Sequence, residues 1–118
     1  MIKPSKCITV QEAKDLQDNW VNSRGVSIQN TRGEEDSREV VYSVEELEEF
    51  LAYVKSESSK KGINNPGVRI YFAAYNDAKS TRATVFLSAT DSGDANSNNE
   101  YDISPFNRGG GGWPPNIY

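Results

Sequence analysis

Apolar residues fall into two helical stripes and two alternating runs, with nearly apolar-free stretches between them. Thr9-Val10-Gln11-Glu12 has the pattern of a capping box, with the threonine as N-cap and the glutamate reaching back. Ala13, Leu16 and Trp20 follow at helical spacing on one face, and Gly25 after Arg24 is the expected left-handed stop. Ser43-Val44-Glu45-Glu46 is a second capping box. Leu47, Phe50, Leu51 and Val54 continue it as an i, i+3, i+4, i+7 stripe that Lys60, Lys61 and Gly62 close.

Between these helices, Val26-Ser27-Ile28 alternates and reads as a short strand, and Arg38 to Tyr42 reads as another. Asn30 to Ser37 is a polar connection, so the two strands are expected to form a hairpin. Beyond the second helix, Val68, Ile70, Phe72 and Ala74 share one face of a strand, and Val85, Leu87 and Ala89 share one face of the next. The polar segment 76–82 joins them as an antiparallel pair. These apolar faces should meet the helices. The opposite face carries Arg69, Tyr71, Tyr75, Thr84, Phe86 and Ser88, more apolar than solvent exposure requires, so something should cover it.

The last thirty residues differ in character. Asp91 to Glu100 is polar throughout except for one alanine and reads as a loop or disordered segment. The end of the chain combines four consecutive glycines and a Trp113-Pro114-Pro115 run with Tyr101, Ile103, Phe106, Trp113, Ile117 and Tyr118. Glycine and proline preclude long regular structure, yet disordered tails lack such aromatics. The tail is therefore expected to dock as an extended flap over the second sheet face. The reading is one domain over 1–118: an arm at 1–8, an α+β core at 9–90, a polar loop at 91–100 and a docked tail at 101–118. The fold class is α+β, with two helices on one face of a small, mainly antiparallel sheet and an extended Gly/Pro-rich C-terminal tail. Whether the strand before the second helix runs parallel to the one after it stays open.

Charge sharpens this picture. The net charge is −4, and residues 34–57 hold nine acidic against two basic groups. No basic footprint exists for nucleic acid, and no apolar run is long enough to span a bilayer. Two lysines at the start are not followed by an apolar segment, so no secretory signal is expected and the cytoplasm is the expected compartment.

The chain has no histidine, which removes the commonest general base and metal ligand. Its one cysteine, Cys7, therefore has no imidazole to activate it, and it cannot form a disulfide within the chain. Asp94, Asn96 and Asn98 match the first half of a calcium loop, but Asn99 and Pro105 stand where glycine and glutamate are required. Gly109 to Gly112 lacks the Lys-Ser/Thr and helix of a phosphate loop and reads as a spacer for Trp113. No catalytic residue, metal or cofactor is assigned.

Two surfaces remain as candidates. Glu45, Glu46 and Glu49 at the helix start, with Phe106 and Trp113 of the tail, suit a protein partner. Arg69, Tyr71, Tyr75 and Phe86 suit a small ligand on the outer sheet face. Val41-Tyr42-Ser43 before a Glu-rich helix, Arg69 to Tyr75, Thr84 to Leu87, and Tyr101-Asp102-Ile103 with Gly-Gly-Trp113-Pro114-Pro115 together resemble a group of small uncharacterised bacterial proteins. That resemblance covers most of the chain after Thr9. It implies a bacterial, one-domain protein and no activity, ligand or site. The functional expectation is a non-catalytic protein-interaction module: an accessory subunit, adaptor or immunity-type inhibitor. The alternative is a small-ligand-binding regulatory domain; an enzyme is less expected, and a homo-oligomer is left open.

Overall fold

The computed structural model describes residues 1–113, 115–116 and 118. Pro114 and Ile117, which the sequence places in the docked tail, lie outside the described residues. The fold is α+β, with two helical runs and two small antiparallel sheets. The chain divides into two compact units, residues 1–36 with 115–118, and residues 37–114.

In the first unit the helix begins as the sequence predicts. Thr9 accepts from the Glu12 amide while the Glu12 carboxylate accepts from the Thr9 amide. It does not end as predicted. α1 (Val10–Trp20) passes through a π-helical turn at Val21–Gly25 into α2 (Val26–Arg32). Gly25 is right-handed, at φ −58°, and lies against the Trp20 ring. The left-handed stop is Gly33, at φ 84°, whose amide donates to the Gln29 carbonyl. The expected strand at Val26–Ile28 is therefore helix. Half-buried positions recur at Ala13, Gln17, Trp20, Val21, Gly25, Ile28 and Arg32, a stripe that runs straight through the glycine. Leu16 falls off it and is 61% exposed, contrary to the predicted face.

In the second unit, β1 (Val40–Val41) precedes α3 (Val44–Lys60), and β2 (Gly67–Ala74) and β3 (Ala83–Thr90) follow. α3 has both predicted ends. Ser43 and Glu46 exchange their capping bonds, and Gly62 turns left-handed at φ 77° while Ile63 donates to the Ser58 carbonyl. β2 and β3 pair antiparallel over their whole length, from Gly67 opposite Thr90 to Ala74 opposite Ala83, as predicted. β1 pairs with β4 (Gly110–Gly111) rather than with residues 26–28. The glycines are thus a paired strand and not a spacer. Gly109 must be glycine, because a Cβ there would lie 2.4 Å from Val40 and 2.7 Å from the Tyr42 ring.

The core joins Phe50 and Val54 of α3 to Leu87 and Ala89 of β3 and to Ile103, with Tyr42, Leu47, Val68, Val85 and Phe106 packed around them. Phe106 exchanges both backbone hydrogen bonds with Leu87, and Glu100 donates to the Ala89 carbonyl. Residues 99–106 therefore close the outer edge of β3. The Phe106 ring stacks on Phe50 at 4.8 Å. This corrects the flap reading: Ile103 and Phe106 fill the first sheet face, under α3. The predicted inward face of β2 is only partly used, because Ile70 is 60% and Phe72 94% exposed.

Candidate functional site

α3 sets the acidic surface. A helix start favours carboxylates because its unpaired amides carry partial positive charge. The four glutamates there do not share one role. The Glu46 carboxylate accepts from the Ser43 amide at 3.0 Å, and that bond, then the Ser43 hydroxyl, holds its pKa below the usual carboxylate value. Glu45, Glu48 and Glu49 are exposed and have no side-chain hydrogen bond or ion pair among the described residues. Glu46 is thus a structural cap, while the other three remain a free anionic surface.

The outer sheet face is closed by the chain itself. The Tyr71 and Phe86 rings stack at 4.9 Å, as their opposed register requires. Arg69 donates to the Asn99 side chain at 2.7 Å and to the carbonyls of Ala95 and Ser97 at 3.0 and 2.9 Å. Asn99 donates to the Tyr71 hydroxyl at 2.7 Å, the leading cause of a phenol pKa below the ordinary tyrosine value. Tyr75 donates to Asn107, which donates to the Val85 carbonyl. The cover predicted for this face is mainly the polar segment 91–100, helped by Asn107. It is hydrogen bonding to Arg69 that orders this segment, without apolar burial. The four residues proposed for a ligand do converge, but their polar groups already have intramolecular partners.

The other candidates are dispersed. Phe106 belongs to the core, whereas Trp113 is 41% exposed with the Arg82 guanidinium 3.8 Å above its ring. Cys7 is exposed. In the calcium-like segment, Asp91 accepts from the Asn98 amide and side chain, an internal turn. No group of three or more His, Cys, Asp or Glu residues that could hold a metal exists among the described residues, and no described helix is long and apolar enough to cross a membrane.

Sequence reasoning missed a surface on the α3 side of β2. A cavity of about 520 Å³ lies between Leu51, Val54, Lys55 and Ser59 of α3, the connection 63–66, and Gly67 and Val68 of β2. Ile70 and Phe72 lie farther along the same strand, on the Val68 face. The signal was present in the alternation of β2, but alternation says which residues share a face, not what covers it. Comparison with protein families, curated proteins and solved structures found no match.

Proposed function

We propose that this chain is a non-catalytic protein-interaction module of the bacterial cytoplasm, an accessory subunit, adaptor or immunity-type inhibitor, whose partner presents a basic surface to the start of α3. The observation that carries this reading is the division of labour among the glutamates. Helix capping accounts for Glu46 but leaves Glu45, Glu48 and Glu49 exposed on consecutive turns, with no side-chain partner among the described residues. Such a cluster steers a cationic partner and fixes its orientation. Of the two tail aromatics, Phe106 and Trp113, assigned to this surface, Trp113 is the one with exposed ring surface to add. The small-ligand alternative has less support, since Arg69, Tyr71 and Tyr75 are engaged within the chain.

The test is co-isolation of the tagged full-length chain from its own cells at low salt, read by native mass spectrometry, with Glu45→Lys/Glu49→Lys alongside. A stoichiometric basic partner should be captured by the native chain and lost from the variant. Melting temperature should stay nearly the same, because the Glu46 cap is left in place. A partner held equally well by both proteins, or no partner at all, would overturn the reading.

A further inference from the structure

A packed protein leaves few voids larger than a water molecule. The slot of about 520 Å³ between α3 and the start of β2 therefore needs a cause. The cause is the offset of the helix. Phe50 and Val54 draw α3 toward β3, Ile103 and Phe106, so the stripe of Leu51, Lys55 and Ser59 overhangs the start of β2 and leaves a gap. The facing wall is held by the backbone. After the left-handed turn at Gly62, the Ile63 amide donates to the Ser58 carbonyl, and Pro66 restricts the chain just before β2. Gly67 is pressed against residue 92, where a Cβ would lie 2.3 Å from the Ser92 carbonyl oxygen. The slot is thus built into the fold.

Its lining has an apolar part and a polar end. Leu51, Val54, Ile63, Pro66 and Val68 form an aliphatic wall with no aromatic ring. Lys55 is the one charged residue among the described residues that line the slot. Leu51, Ala52, Ser58 and Ser59 stand three and four residues from it, so no acid shares its helix face at pairing distance. The side chains of Lys55, Ser59, Asn64 and Asn65 have no hydrogen bond or ion pair among the described residues. The outer sheet face is the opposite case, since Arg69, Tyr71 and Tyr75 are engaged there within the chain. Charge also gives the slot a direction. Donors gather toward residues 59–65, whereas Glu48 stands one turn before Leu51 at the other end. An anion is attracted to the first end and repelled from the second.

We propose that this slot binds a free aliphatic carboxylate of about eight to ten carbons, its carboxylate held by Lys55 toward residues 59–65 and its chain lying along Leu51, Val54 and Val68. The dimensions agree. Leu51 and Ser59 are about 12 Å apart along the helix, the reach of about ten bonds of extended chain. The volume falls within the range of about 300–1,000 Å³ usual for small-molecule sites. The inference goes beyond the acidic docking surface and does not depend on it.

The test is calorimetric titration of the full chain with sodium decanoate, kept below its micelle concentration, with methyl NMR spectra recorded alongside. Decanoate should bind with a submillimolar Kd and shift the methyl signals of Leu51, Val54, Ile63 and Val68. Affinity should fall about tenfold for each two methylenes removed, through octanoate to hexanoate. 1-Octanol should bind several-fold more weakly than octanoate. Lys55→Met, at an exposed site, should keep the native circular dichroism and abolish that difference by weakening octanoate alone. Leu51→Trp, at a partly exposed site, should narrow the slot and weaken both. No heat and no methyl shift with millimolar decanoate overturns the proposal, as does binding that leaves these four methyl groups unmoved. Equal loss of octanoate and octanol in Lys55→Met, or loss of neither, overturns the placement of the carboxylate. If a peptide with an apolar residue at its free C-terminus binds here more tightly than decanoate, the slot takes a peptide end and the free-acid reading fails. Glu45 and Glu49 are untouched in these variants, so ligand binding and partner capture are read separately.

Discussion

β2 and β3 are equally long, directly paired and similarly patterned, yet their apolar faces meet opposite fates. On β3, Leu87 is 6% and Ala89 0% exposed; on β2, Ile70, directly opposite Leu87, and Phe72 beyond it stay in water. The difference originates outside both strands. Residues 99–106 pair along the outer edge of β3 and make it the central strand, and they bring Ile103 and Phe106 under α3. The helix then settles where apolar side chains come from two sides. Alternation makes a strand able to be buried, and a third segment decides which half of the sheet is.

The sharpest way to break this comparison is to truncate one side chain in each half. Leu87→Ala removes a buried side chain beside Phe50 and Val54 and should cost about 2–5 kcal/mol. Phe72→Ser should change monomer stability by no more than about 0.5 kcal/mol, because the ring touches little within the chain. Urea unfolding at a dilution that keeps the protein monomeric checks both. Comparable losses would mean that the bare half is covered in solution.

Acid should act on the covered half in preference to the bare one. Lys61 reaches both Asp102, at 2.5 Å, and Glu100, at 3.4 Å, and so ties the end of α3 to the segment carrying Ile103. The Lys61 hydrogen bond, then its charge, holds Asp102 below the ordinary aspartate value, and the same hydrogen bond leads the rise of Lys61 above the ordinary lysine value. A depressed carboxyl stabilises the fold above its unfolded pKa, and that contribution is lost as pH falls through the folded value. For the raised lysine the contribution is present below the unfolded pKa and lost as pH rises through the folded value. Glu46 and Glu12, depressed first by the backbone amides of Ser43 and Thr9, add to the acid limb. Melting temperature should therefore decline below the ordinary carboxylate range and again at strongly alkaline pH. Asp102→Asn should flatten both limbs; an unchanged pH profile would show that the tie is broken in solution.

Some of this was legible from the sequence, for identifiable reasons. The whole of α3 could be read because local signals agreed: a capping box at Ser43, the Leu47-Phe50-Leu51-Val54 stripe and a glycine at the end. The β2–β3 hairpin followed from alternation on both sides of a polar turn. The role of 91–107 was not legible. Asn99, Ser97 and Asn107 order it through hydrogen bonds to Arg69, Tyr71 and Tyr75, and polar partners leave no periodicity. The outer-face cluster was found, but what closes it was not. At the acidic site, composition located the glutamates and the capping box was recognised, but Glu46 was grouped with Glu45 and Glu49 as partner surface, although its carboxylate is taken up by the cap.

The N-terminal run is the smallest and most discriminating test, because one dipeptide pattern was read the wrong way round. Arg24-Gly25 and Arg32-Gly33 both resemble helix ends, and only the second is one. Gly25 has φ −58°, open to any residue, and an added Cβ would sit 3.4 Å from the Trp20 ring and carbonyl, in contact without overlap. Gly25→Ala should therefore stabilise the helix by about 0.5–1 kcal/mol, mainly by restricting the unfolded chain. Gly33→Ala has open space around it but must adopt φ 84°, so it should destabilise by about 1 kcal/mol. Thermal unfolding followed by far-ultraviolet circular dichroism reads both shifts. Opposite signs sustain one helical run through Trp20 and the π turn. If Gly25→Ala instead destabilises and Gly33→Ala does not, the helix ends at residue 25 and residues 26–28 regain the extended conformation that their alternation suggests.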